Sequence, residues 1–354
     1  LPFQWYDAIP RPPLGRLELE RKVICLRLRS VRKDQPLYLI SLGQIQNSQK
    51  LLMLRLTSLD NPISVLRAKL NGAYRSLGAI SSRTRHPQAM TRKQYLTENL
   101  RKGSSEFHWV LPITQDECSS TGNLFGGTGL AAAIRVLEFE THRPLVWITG
   151  QFVSHAKVGE ELTFQVELTA VGHKSTQARV TGRVDDREII STFATLGKRD
   201  VEKSGVWVIP IEAPPPLDCP IFSSREGVRS VSNNLERRLV KGRSKSEDPP
   251  IEDGRVAMWV RVPKDVHVDP AFLAVLGDYV PWGGREAVGG GVGGGRSLDN
   301  TLRIVNPIPT KWILVDVRIG SLTHGYAHGT VHLWSENYEL LATASQTCQY
   351  RSLG

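Results

Sequence analysis

The sequence predicts an α+β protein made of two tandem units, each a long helix wrapped by an antiparallel sheet. Three observations carry this. Residues 124–137, Leu124-Phe125-Gly126-Gly127-Thr128-Gly129-Leu130-Ala131-Ala132-Ala133-Ile134-Arg135-Val136-Leu137, read as a glycine-rich lead into an apolar, alanine-rich helix. Segments of two-residue alternation follow, clearest at Leu162, Phe164, Val166 and Leu168, which implies one buried and one solvated face. The same order of helix and strands returns about 150 residues later. With the plan duplicated, function is expected where the copies meet.

In the first unit, 105–200, residues 107–111 read as a strand. The polar stretch 114–123 approaches the helix, with Ser119, Ser120 or Asn123 as candidate caps. The helix is expected over 127–140, its glycines and alanines allowing a sheet to approach closely, and His142-Arg143-Pro144 ends it. Strands are expected over 145–153, 161–170, 177–184 and 188–196, the last two joined by a turn at Asp185-Asp186-Arg187.

Residues 201–253 read as a connector, because Pro210, Pro214, Pro215, Pro216 and Pro220 oppose regular structure and 236–254 is charged. The second unit, 254–352, opens with strand character at 255–262. Asp269-Pro270 is a cap followed by proline, with a helix over 271–280. The glycine run 289–295 reads as a flexible loop, and strands are expected over 297–305, 312–319, 325–334 and 339–351. The Ser335-Glu336-Asn337 turn matches Asp185-Asp186-Arg187, and an offset of 151 sets Ile190 against Leu341 and Thr195 against Gln346.

Residues 1–104 differ from the rest. Their apolar clusters, Leu37-Tyr38-Leu39-Ile40 and Leu51-Leu52-Met53-Leu54, lie between basic and polar stretches with no sustained period. They read as a basic extension, poorly ordered or not native protein, with Met90 the natural start. The other reading is an arginine-rich transit peptide that would direct the chain to mitochondria. This segment also holds the basicity. The chain has a formal net charge of +10, yet residues 1–104 carry 19 Lys+Arg against 6 Asp+Glu, a net of +13, and the remainder 26 against 29, a net of −3. The folded body is therefore not expected to bind nucleic acid. Cys25, Cys118, Cys219 and Cys348 are scattered without a CxxC pair, as in a cytoplasmic protein with free thiols. No apolar run approaches the roughly 18 residues of a membrane span, and the terminal Arg351-Ser352-Leu353-Gly354 is not the peroxisomal S-K-L address.

The helix-then-strands order, with Leu124-Phe125-Gly126-Gly127 opening the first helix, resembles the hotdog fold. Two tandem units resemble the acyl-CoA thioesterase II family, the double-hotdog thioesterases, over about residues 105–352. That resemblance implies a site in the second unit: an Asp near the end of its helix, a hydroxyl opening the next strand and a Gln on the last strand. Asp278 in Leu276-Gly277-Asp278-Tyr279, Ser297 in Ser297-Leu298-Asp299-Asn300 and Gln346 in Thr343-Ala344-Ser345-Gln346 match them. The chain departs from the family where Ser297 replaces a more frequent Thr and Asn300 a more frequent His. The resemblance further implies an acyl-CoA substrate, no cofactor and a homo-oligomer.

These residue types suit thioester hydrolysis. A carboxylate takes the proton of an attacking water, while a hydroxyl and a carboxamide aim it. No Gly-x-Ser-x-Gly elbow occurs, consistent with attack by water. Backbone N–H groups at Gly126 and Gly127 are the candidate oxyanion donors, since a helix start gathers free donors. Bland readings compete: Asp278 as a surface acid, Ser297 as a turn serine, Gln346 as a solvent-facing strand residue, and Asp299 as a rival carboxylate. An Asp against a helix C-terminus opposes the dipole, which favours a functional reason for Asp278. His324, His328 and His332 sit among Gly325, Gly329, Thr330 and Val331, which favour a strand. There, positions four apart lie about 13 Å apart, too far for one metal ion. The glycine run lacks a βαβ setting for phosphate. Two other functions remain open: a non-catalytic acyl-binding hotdog, and an enoyl-CoA hydratase, which would need an Asp/His pair near the first helix, where 114–136 has no His.

Overall fold

The computed structural model describes residues 95–222, 229–245, 247–289 and 292–352, together with five short strands within 16–55. The chain forms two compact units, Leu1–Ala89 and Met90–Gly354. In the first, β1 (Arg16–Leu19) pairs with β2 (Lys22–Cys25), and β3 (Arg27–Ser30), β4 (Leu37–Ser41) and β5 (Leu51–Arg55) form a second antiparallel sheet. The expectation of a poorly ordered or non-native extension over 1–104 falls largely outside the described residues. Its final part belongs to the large unit, where Leu96 is buried and β6 (Arg101–Lys102) pairs with β7 (His108–Pro112).

The large unit has the double-hotdog architecture. Helix α1 (Gly126–Thr141) is buried along 127–134, as befits a helix enclosed by sheet rather than resting on a surface. His142 ends it in the left-handed region (φ 51°), just before Pro144. Around α1 run β8 (Leu145–Phe152), β9 (Glu161–Val171), β10 (Ser175–Val184) and β11 (Arg187–Gly197). The predicted alternation places Leu162, Phe164 and Val166 in the core and leaves Leu168 half-buried.

The second half repeats the plan with differences. Within the expected connector, 237–241 forms a strand, β12 (Arg237–Lys241), on the edge of β13 (Arg255–Arg261). Three of its five residues, Arg237, Arg238 and Lys241, are charged and no alternation is present, so it reads as exposed loop. The expected helix over 271–280 is two helices, α2 (Pro270–Leu276) and α3 (Val280–Val288). Pro281 explains the break: in one continuous helix its ring would meet the Gly277 carbonyl, whereas proline is accepted in a first turn. Helix α3 packs on β13 and on the later strands, while α2 packs on α1. The glycine run is partly strand, β14 (Val292–Ser297), paired with β18 (Leu340–Ser352). The expected strand over 297–305 bends at Leu298 before β15 (Asp299–Ile304). Then come β16 (Trp312–Thr323) and β17 (Tyr326–Ser335).

All strands of this unit join one thirteen-stranded sheet, ordered β12-β13-β16-β17-β18-β15-β8-β11-β10-β9-β7-β6 with β14 beside β18. The two halves meet at β15 and β8, where Thr301 pairs with Thr149 and their hydroxyls lie 2.7 Å apart. The helices meet as closely. A Cβ on Gly127 would lie 2.9 Å from the Ala274 carbonyl oxygen and from the Val275 Cα. Only glycine lets the start of α1 approach α2 this far.

Candidate active site

The break between α2 and α3 leaves Asp278 outside either helix, 3% exposed, facing the start of α1. Helix α1 has Phe125 as its N-cap and no side-chain cap of its own; neither Ser119, Ser120 nor Asn123 serves it. Asp278 takes that part from 151 residues away: its Oδ2 accepts from the Gly127 N–H at 2.6 Å. The dipole conflict expected from a carboxylate beyond a helix C-terminus is thus met by the positive end of α1.

The other carboxylate oxygen binds the remaining sequence-predicted residues. Asp278 Oδ1 accepts from Ser297 Oγ at 2.8 Å and from Gln346 Nε2, which also donates to Ser297 Oγ at 3.2 Å. Gln346 Oε1 accepts from the Val280 N–H at 3.3 Å, which fixes the amide's orientation at the first turn of α3. Four separate pieces of chain therefore converge on one carboxylate: the α2–α3 break, the end of β14, the middle of β18 and the start of α1.

Burial pushes the Asp278 carboxyl up to about 6, against the opposing pull of its bonds from Gln346, Ser297 and Gly127. Such a group is ionised at neutral pH yet basic enough to take a proton. Cys348 stands across the ladder from Ser297, but burial pushes its thiol up to about 11, so it is not a thiolate nucleophile at neutral pH.

The glycines take different places. Of the first N–H groups of α1, that of Gly127 is held by Asp278, and those of Thr128 and Gly129 reach the Phe125 carbonyl. Gly126 is left with the helix-start donor that these contacts do not engage. A Cβ on Gly126 would lie 2.8 Å from Asp278 Oδ2 and from Phe152 Cζ, so its backbone borders the carboxylate directly. Asp299, the rival carboxylate, is not drawn in; its Oδ1 accepts from the Thr347 N–H at 2.8 Å.

Two residues were misread in the sequence. Thr195 is not the structural counterpart of Gln346. Ile190, Thr192, Ala194 and Leu196 form the buried face of β11, so Thr195 points to the opposite face. An odd offset between strands exchanges the two faces. Asn300, noted only as a departure from a family pattern, is completely buried. Its two-residue spacing from Leu302 was the available signal. Among the described residues no cluster of three or more His, Cys, Asp or Glu side chains is placed to hold a metal. No described helix is long and apolar enough to cross a membrane.

Comparison with known proteins agrees with this architecture. The family profile for the acyl-CoA thioesterase N-terminal domain matches residues 95–197, and that for the C-terminal domain matches 212–350. A candidate thioesterase from Novosphingobium aromaticivorans is 29% identical, with a TM-score of 0.64 over 72% of this chain and 99% of its own. A hot dog fold protein from Alicyclobacillus acidocaldarius (20% identity, TM-score 0.64, 74% and 100% covered) shares the fold. So does the acyl-CoA thioesterase II TesB2 of Mycobacterium marinum (19%, TM-score 0.56, 72% and 94% covered). No curated protein matches the chain.

Proposed function

The chain belongs to the acyl-CoA thioesterase family, and on that premise we propose that it hydrolyses fatty acyl-CoA to a free fatty acid and CoA at Asp278, Ser297 and Gln346. The observation that carries this reading is the buried carboxylate of Asp278, gathered with a hydroxyl and a carboxamide at a helix start. A water held by the three side chains attacks the thioester carbonyl carbon while Asp278 takes its proton. The carbonyl oxygen becomes an oxyanion facing the Gly126 N–H and the positive end of α1. Collapse breaks the carbon–sulfur bond, and the proton on Asp278 passes to the departing CoA sulfur. Water adds across the thioester, and the carboxylate is restored.

The proposal places one working site in each chain, because the polar set comes from the second half while the first supplies a helix start. It also includes a cytoplasmic setting and a homo-oligomer. The buried free thiols of Cys118, Cys219 and Cys348 support the former, and family resemblance supports the latter.

The test is CoA release, followed with a thiol reagent on acyl-CoAs of several chain lengths. Asp278→Asn is expected to lower turnover at least about tenfold, or about 1.4 kcal/mol of barrier. Undiminished turnover in that variant overturns the mechanism. Saturable binding without CoA release by the unaltered protein identifies an acyl-binding protein instead.

A further inference from the structure

Asn300 is the one described side chain with two buried polar atoms that lack a hydrogen-bond partner, Oδ1 and Nδ2, and the residue is 0% exposed. Buried carboxamides are ordinarily bonded, and one left unpaired lowers stability without a return in packing. Its surroundings show where it points. On β15, Asn300 shares the buried face with Leu302, and Leu302 Cδ1 lies 3.5 Å from where a Cβ of Gly277 would stand. On the neighbouring β18, Ala344 pairs with Leu302 and lies 3.1 Å from the same point. That face therefore packs on the residue preceding Asp278. One pleat further along it, β18 presents Gln346, bonded to Asp278, and β15 presents Asn300. On its other side Asn300 pairs with Gly150, over which Leu130 Cδ1 and Thr192 Cγ2 pack, so that side offers it apolar groups only.

Gln346 has no N–H to spare for Asn300, and Asn300 makes no hydrogen bond to its remaining Oε1 lone pair. Its Oε1 accepts from Val280, and its Nε2 donates to both Asp278 and Ser297. The acceptor of Asn300 therefore has no donor in this neighbour, and both its polar atoms are left unpaired among hydrocarbon. They match a pair of reacting groups: a carbonyl oxygen that accepts, beside a water that donates.

We propose that Asn300 is a further catalytic residue, whose Nδ2–H donates to the thioester carbonyl oxygen while its Oδ1 accepts the second hydrogen of the attacking water. This rests on the hydrolytic reading of the Asp278 site. Asp278 removes one proton from the water, and Asn300 holds the other in place. As the carbonyl carbon becomes tetrahedral, the growing negative charge on its oxygen strengthens the bond from Nδ2, so the contact acts more on the transition state than on the bound substrate.

The test uses the full chain with Asn300→Leu, of the same branched shape, and Asn300→Ala. Kinetics on an unsubstituted acyl-CoA are read beside binding of two inert analogues. One is a ketone with methylene in place of the sulfur, which keeps the carbonyl oxygen; the other is an S-alkyl thioether, which lacks it. Asn300→Leu is expected to lower kcat at least about tenfold with KM altered less than about threefold. It is also expected to weaken the ketone about two- to threefold, in step with KM, and leave the thioether unchanged. An unchanged kcat overturns the proposal while leaving hydrolysis at Asp278 intact. Equal weakening of both analogues also overturns it, in favour of a packing role. Absence of CoA release from the unaltered protein overturns the hydrolytic reading itself. The ketone–thioether difference then still decides whether Asn300 receives the carbonyl. Asn300→Ala serves in every arm where the leucine variant fails to fold.

Discussion

Helix α1 and the α2–α3 pair stand at corresponding places in the two halves and have taken opposite forms. Helix α1 is continuous over sixteen residues, buried on every side along 127–134, and without a cap from its own segment. Its counterpart is broken by Pro281, and the break leaves one buried carboxylate outside either helix. The difference teaches that neither half alone assembles the polar cluster around Asp278. The unbroken helix offers donors and a dipole, the broken one offers the acid, and the 2.6 Å bond between Gly127 and Asp278 joins the two contributions.

That division can be broken most severely at the point of closest approach. Gly127→Ala places a methyl group 2.9 Å from the α2 backbone, which cannot yield as a side-chain tip would. It is expected to destabilise the protein by about 1–3 kcal/mol, read as a lower urea midpoint with unchanged slope, and to cut turnover as well. A midpoint equal to that of the unaltered protein shows that the halves do not depend on this contact.

Ser297→Ala tests the contribution of β14. It is expected to lower kcat/KM about tenfold, or about 1.4 kcal/mol. It also removes a bond that favours the ionised carboxylate. The acid limb of the pH–rate profile, expected at about 6 in the unaltered protein, should therefore move upward. A limb that stays in place detaches Ser297 from Asp278.

Stability should carry the same signature. Because the folded carboxyl of Asp278 is raised from 3.8 to about 6, the folded chain retains a proton between those values that the unfolded chain has released. Stability from this group is complete below about pH 4 and declines as pH rises through about 6, by about 3 kcal/mol at most. Asp278→Asn should lack that slope in pH-dependent thermal unfolding, and an identical slope in both proteins assigns it to other groups. The smallest effect is expected in the first half. Thr195→Gln restores the residue type that simple repeat arithmetic calls for, yet on the face of β11 away from the core, and CoA release should change less than about twofold.

Much of this architecture was legible from the chain. Leu162, Phe164 and Val166 alternate as a half-buried strand must, and the alanine-rich stretch after Gly126 could bury itself only within a sheet. The grouping of Asp278, Ser297 and Gln346, which the structure brings into contact, was legible only through their order and family likeness, since each alone is an ordinary residue. Pro281 is a readable signal of the helix break. Two other features left weaker traces. Strand β14 carries its register in backbone hydrogen bonds, and its glycines supply no apolar pattern. The capping of α1 by Asp278 is a contact between residues 151 apart, set by how the halves dock, whereas local rules pointed to Ser119, Ser120 or Asn123.

The ladder between β15 and β8 has a consequence for how the halves could diverge. Separate polypeptides with this much likeness would sort at random, and some pairs would join two acid-free halves or two halves lacking the helix start. A single chain fixes the ratio at one to one and keeps the local concentration of the correct partner high. Under that guarantee neither half need carry what the other supplies. The Thr149–Thr301 contact is the stitch that holds the two specialists to a common register.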